Sequence, residues 1–175
     1  MELVTGYKGE EHVTAEQDAD LYRGITGTGI LNVGNKMKTE ISGSTLYVYD
    51  GVCIIDGREI YIPYGSKDSI SIPAETGSNT RTDLLVIEYS KQSNGIENAV
   101  FKLIQGTRNS GSDPPYTQAD IRSGAALAQK PFCRVKITGS QITVEKLFKE
   151  LQTLESLEEY FSSLEESMKK CLIID

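Results

Sequence analysis

A chain of 175 residues can bury a real core and fits one domain plus an appendage. Its formal net charge of -7 and pI near 4.9 argue against a nucleic-acid surface, whose phosphates demand clustered Lys and Arg. Apolar runs stay far below the roughly 20 residues that cross a bilayer as helix, so no membrane insertion is expected.

The opening Met1-Glu2-Leu3-Val4-Thr5-Gly6 lacks a basic region followed by an apolar run, which predicts no secretory signal and folding in the cytoplasm. Residues 1–13 show no periodicity of their own. Thr14-Ala15-Glu16-Gln17 is a capping-box pattern, predicting a short helix from Ala15 to Arg23 closed by Gly24. The glycine-dense stretch Gly24, Gly27, Gly29 and Gly34 predicts turns and short strands packed close to another backbone.

A meander is expected next. The run Thr45–Tyr49 meets Asp50-Gly51, Val52–Ile55 meets Asp56-Gly57, and Arg58–Ile62 stops at Pro63. Asp-Gly between β-prone runs is the signature of a tight hairpin turn. Ser69–Ile72 alternates like a half-buried strand, and Leu84–Tyr89 pairs with Asn98–Ile104 across a turn holding Ser93-Asn94-Gly95. From Gly106 to Tyr116 the composition is that of an exposed loop, expected to be mobile or to meet a neighbouring subunit. A helical turn near Gln118–Arg122 and a strand at Phe132–Ile137 complete the head.

After Gly139-Ser140 the pattern changes. Leu147, Leu154, Leu157, Phe161, Leu164, Met168 and Cys171 fall on one helical stripe, the a and d positions of a heptad in which Glu150 is the one polar member. The expectation is a mainly β fold. Residues 1–144 form a β-rich head with a short N-terminal helix, and residues 145–175 carry an amphipathic coiled-coil helix. The stripe predicts a homo-oligomer, a trimer in preference to a dimer, joined through Leu147, Leu154, Leu157, Phe161, Leu164 and Met168. Lys169 and Lys170 suit the negative end of the helix dipole. The last 35 residues hold eight acids and four lysines, so the head is close to neutral. The apolar Leu172-Ile173-Ile174 beyond the lysines suggests a second point of attachment.

Candidate chemistry is sparse. Cys53, Cys133 and Cys171 include no Cys-x-x-Cys spacing and read as reduced thiols, the first two as small core hydrophobes. The sole histidine, His12, has no partner spacing for catalysis or metal binding. Asp50 with Glu59 could be drawn as a glycosidase acid pair, but Asp50 and Asp56 read as turn residues and Glu59 as a solvent-facing strand residue. Gly27-Thr28-Gly29 lacks the third glycine of a phosphate cradle. Tyr47, Tyr49, Tyr61, Tyr64 and Tyr89 lie on or beside predicted strands, where they pack across strands or offer an aromatic face to sugar rings. No catalytic residue, metal or cofactor is predicted.

Val4-Thr5-Gly6-Tyr7-Lys8-Gly9, His12-Val13-Thr14-Ala15, Gly24-Ile25, Gly27-Thr28-Gly29 and Leu31-Asn32-Val33-Gly34 resemble the N-terminal block of tail and baseplate proteins from phages and prophages of Gram-positive bacteria. Asp50-Gly51, Gly57-Arg58, Ile62-Pro63, Gly65, Arg81-Thr82-Asp83-Leu84-Leu85-Val86, Gly106-Thr107, Asp113-Pro114, Leu127 and Phe132-Cys133-Arg134-Val135 continue the pattern in the same order. The resemblance implies an oligomeric structural part of the host-adsorption device at the tail tip, made in the bacterial cytoplasm and carried in the virion. Ending soon after its helix, the chain is expected to be an adaptor between the tail tip and host-recognition components, anchored through residues 1–13. The alternative is a carbohydrate-binding module contacting envelope polysaccharide; a cell-wall-degrading enzyme is the weakest expectation.

Overall fold

The computed structural model describes residues 13–171, so His12, the block Val4–Gly9 and the apolar cluster 172–174 lie outside the described residues. Two four-stranded antiparallel sheets share one hydrophobic core, with a short helix near one end of the chain and a long one at the other. The mainly β expectation is met.

Helix α1 (Ala15–Ile25) starts at the capping box read from the sequence: the Gln17 amide donates to Thr14 Oγ1 at 3.2 Å and the Thr14 amide to Gln17 Oε1 at 2.9 Å. It runs two residues past Arg23, with Gly24 inside it and Thr26 as its C-cap.

The first sheet contains β1 (Gly29–Ile30), β2 (Thr39–Ser42), β3 (Thr45–Ile55) and β4 (Arg58–Ser71). Strand β3 is its spine: β1 and β2 share one edge and β4 covers the other. Asp56-Gly57 forms the expected hairpin turn, with φ of 47° and 88°. Gly57 has a second duty, since a Cβ there would collide with the Ala19 carbonyl of α1.

Asp50-Gly51 is not a turn. Strand β3 passes straight through it with a bulge, and β4 likewise continues through Pro63 to Ser71, taking in all of the predicted Ser69–Ile72 strand but Ile72. The reason is tertiary. The buried Asp50 carboxylate accepts from the Asn35 side chain at 2.6 Å and the Asn35 amide at 3.2 Å, so the loop before β2 is tied down over the bulge. Met37 in that loop is fully buried, and its backbone lies so close to Gly51 that no Cβ fits there. Hydrogen bonds from Asn35 hold the Asp50 carboxyl below its ordinary pKa.

The second sheet has the order β6-β5-β7-β8, with β5 (Thr80–Lys91), β6 (Glu97–Ile104), β7 (Leu127–Thr138) and β8 (Gln141–Lys146). Residues 81–87 of β5 are buried on both faces. One face meets the common core through Leu85 and Ile87. Against the other lies the segment 106–117. Asp113 pairs with Arg134, the register partner of Leu84, at 2.5 Å; Pro114 is buried; and the Thr117 amide donates to Gln129 Oε1 at 2.7 Å. The loop from Gly106 to Tyr116 is thus fastened to its own head at Asp113 and beside Thr117, with most side chains facing solvent as expected of an exposed loop.

The loop's entry is fixed by a buried charge cluster. Arg81 donates to both oxygens of Asp83 at 2.7 and 3.0 Å, to Glu75 Oε1 at 2.5 Å and to the Pro73 carbonyl at 2.6 Å. Asp83 also accepts from the Gly106 amide at 2.9 Å, and Glu75 accepts from Arg108 at 2.9 Å. Gly106 must lack a side chain, because a Cβ would strike the Thr82 carbonyl.

Helix α2 (Leu154–Cys171) begins nine residues later than expected. Gly139-Ser140 is the turn of the β7–β8 hairpin, and β8 crosses the expected boundary between residues 144 and 145. Leu147 is consequently not on the helix: its amide donates to the Phe132 carbonyl, and the next residue, Phe148, is buried in the core beside Phe132. Burying Phe148 outweighs the helical pattern that Leu147 completes on paper.

Removing the Arg81 side chain leaves the fully buried Asp83 without a cation and Glu75 with Arg108 alone, so Arg81→Ala should cost about 3 to 5 kcal/mol in urea unfolding. A second expectation concerns pH. Arg58 donates to both oxygens of Glu97, joining β4 to β6, and this pairing holds Glu97 at about 2 against an ordinary 4.5. A depressed folded pKa means that the contribution is complete above 4.5 and fades as pH falls towards 2. Glu97→Gln should flatten the loss of stability between pH 5 and 3, measured by urea titrations at both pH values.

Candidate assembly interface

Residues 149–151 form a short parallel extension beside β1: the Ile30 amide donates to the Lys149 carbonyl at 2.8 Å and the Leu151 amide to the Ile30 carbonyl at 2.7 Å. Gly29 permits this approach, since a Cβ there would meet Leu151. Glu150, the polar member of the expected heptad, is an ion-pair partner of Lys146 at 2.9 Å instead of a layer in a helical seam. Only Gln152 and Thr153 separate this clamp from α2. Thr153 caps the helix, its Oγ1 accepting from the Ser156 amide at 3.1 Å.

From there α2 leaves the head uncovered. Leu154 is 82% exposed, Phe161 60% and Met168 64%, and Leu157 and Leu164 are also exposed. Five of the six predicted contact residues thus lie along one exposed apolar stripe, while Leu147 belongs to the head; Cys171 ends the helix. The opposite side carries Glu155, Glu159 and Glu166, and Glu158 and Glu165 border the stripe. An 18-residue helix whose apolar stripe none of the other described residues covers is marginal alone, because tertiary packing supplies most helical stability in proteins.

The tyrosines do not gather on one face. Tyr89 is buried. Tyr47 and Tyr49 project side by side from β3, but Lys67 lies over both rings, at 3.8 and 5.4 Å from their centroids, and the Tyr49 hydroxyl donates to Glu40 at 2.9 Å. Tyr61 and Tyr64 are exposed on the edge strand β4.

Asp50 and Glu59 do not form an acid pair: Asp50 is buried under Asn35 and Glu59 is exposed. Cys53 and Cys133 are free and buried, and burial pushes both thiols up to about 12. Among the described residues no group of three His, Cys, Asp or Glu side chains is placed to hold a metal, and no helix is long and apolar enough to cross a membrane. Nothing local announces the Arg81 cluster, because Arg81-Thr82-Asp83 read alone is simply polar. No protein-family model matches the chain, and no curated protein sequence matches it.

Because α2 contributes nothing to the head's buried core, Leu157→Asp with Leu164→Asp should leave the head folded. The expected readout is an unchanged chemical-shift pattern for β1–β8, with loss of helical circular dichroism.

Proposed function

We propose that this chain is a non-enzymatic structural subunit of a phage baseplate or tail fibre, joining the tail tip to host-recognition components. It self-associates through a coiled coil of α2 helices, a trimer in preference to a dimer. The observation that carries this reading is the uncovered apolar stripe of α2 on a head that is otherwise fully built. Such a stripe is satisfied by equivalent helices of other copies, whose knobs fill its holes.

The resemblance adds the setting. Several of the residues that carry it have definite structural work in the head: Gly57 under Ala19, Arg81 with Asp83, Gly106 against Thr82, and Asp113 with Arg134. They describe a scaffold and not a reaction centre, which suits an assembly part. Engagement of Tyr47 and Tyr49 by Lys67 and Glu40 favours the adaptor over a sugar-stacking module.

Two measurements test the proposal. Light scattering on the full chain should give a mass near three copies, and the Leu157→Asp, Leu164→Asp variant should give one; a monomeric parent chain overturns self-association. Antibodies raised against the head should label the tail ends of particles released from the source bacterium. Particles that carry none of the protein overturn the tail-tip assignment.

A further inference from the structure

We infer that neighbouring α2 helices lie parallel and in register, with the Tyr160 hydroxyl of each copy donating to Glu165 of the next; this rests on the self-association proposed above. With Leu154, Phe161 and Met168 at the a positions and Leu157 and Leu164 at d, the flanking positions are fixed. Tyr160 and Ser167 fall on one flank of the seam, and Glu158 and Glu165 on the other.

Parallel in-register helices bring one flank of a copy against the opposite flank of its neighbour, five residues further along. Tyr160 then faces Glu165 of the neighbouring copy, a hydroxyl against a carboxylate, whereas the Thr153 hydroxyl ahead of the helix is already engaged with Ser156. Neither the Tyr160 hydroxyl nor the Glu165 carboxylate has a partner among the described residues, and Tyr160 is 58% exposed with its ring edge-on to Phe161.

The antiparallel alternative, centred on Phe161, brings matching flanks together. Glu158 of one copy then approaches Glu165 of the other, and Tyr160 meets only its own kind. Like charges brought together across an interface disfavour that arrangement, so avoidance of the Glu158–Glu165 approach selects the parallel one. A threefold axis along the helices admits only the parallel arrangement, whereas a twofold axis admits both, so the charge pattern decides orientation for a dimer too.

The test uses the full chain carrying Leu154→Cys and Cys171→Ser, oxidised mildly, with Cys53 and Cys133 protected by burial. In parallel helices the residue-154 sites face one another within the roughly 7 Å Cα separation that a disulfide spans. In antiparallel helices about 21 Å of helix separates them. The expected result is a covalent dimer on a non-reducing gel from a sample that light scattering shows to be oligomeric. An oligomer that does not cross-link overturns the parallel register and leaves the self-association standing; a monomeric Cys171→Ser parent overturns the self-association itself. Tyr160→Phe should weaken association by about tenfold, read as a shift in the concentration at which the oligomer dissociates. An unchanged midpoint overturns the Tyr160–Glu165 contact.

Discussion

The Arg81 guanidinium joins the start of β5 to the chain leaving β6. Arg81 is buried beside Asp83 and Glu75, and the two carboxylates in turn hold the Gly106 amide and the Arg108 side chain. Burying three charges is costly unless geometry and hydrogen bonding are complete, and here the guanidinium spends its donors on Asp83, Glu75 and the Pro73 carbonyl. What the cluster secures is placement. The chain entering β5 and the chain leaving β6 are locked at one point, and from there the strap 106–117 crosses the outer face of the second sheet to reach Arg134 and Gln129. Leu84 and Val86, on the face of β5 turned away from Leu85 and Ile87, are fully buried.

The first sheet solves a related problem with neutral groups. Its spine, β3, is too long to be paired by one short strand on its second edge, so β1 and β2 share that edge and the loop between them folds over the bulge at Asp50-Gly51. Lys36 and Met37 adopt positive φ of 52° and 49° to make this possible. Complete burial of Met37 and the Asn35–Asp50 hydrogen bonds offset that strain.

Features whose physics is local were legible in the sequence. The Thr14–Gln17 capping box, the Asp56-Gly57 turn and the alternation of β6 need no distant partner. The misreadings occurred where a distant partner overrides a local signal. Asp50-Gly51 has the composition of a turn, yet Asn35, fifteen residues earlier, converts it to a bulge. Leu147 completes a heptad, yet Phe148 and the pairing of residues 149–151 with Ile30 hold that segment on the head. Of the candidate interface, the stripe from Leu154 to Met168 was readable because helical periodicity is local, whereas its starting point depended on the core.

The connection between head and helix has a consequence for binding strength. Only Gln152 and Thr153 lie between the Leu151–Ile30 hydrogen bond and the first turn of α2, so heads joined through their helices would be confined to a small volume. Short tethers of this kind raise the effective concentration of one module near another to the millimolar range. A head surface that grips a repeating scaffold too weakly to hold one copy would then hold several at once, and detachment would require every copy to let go together. Avidity of that kind asks little of any individual contact, and it is compatible with the polar ion pairs on the described head surface.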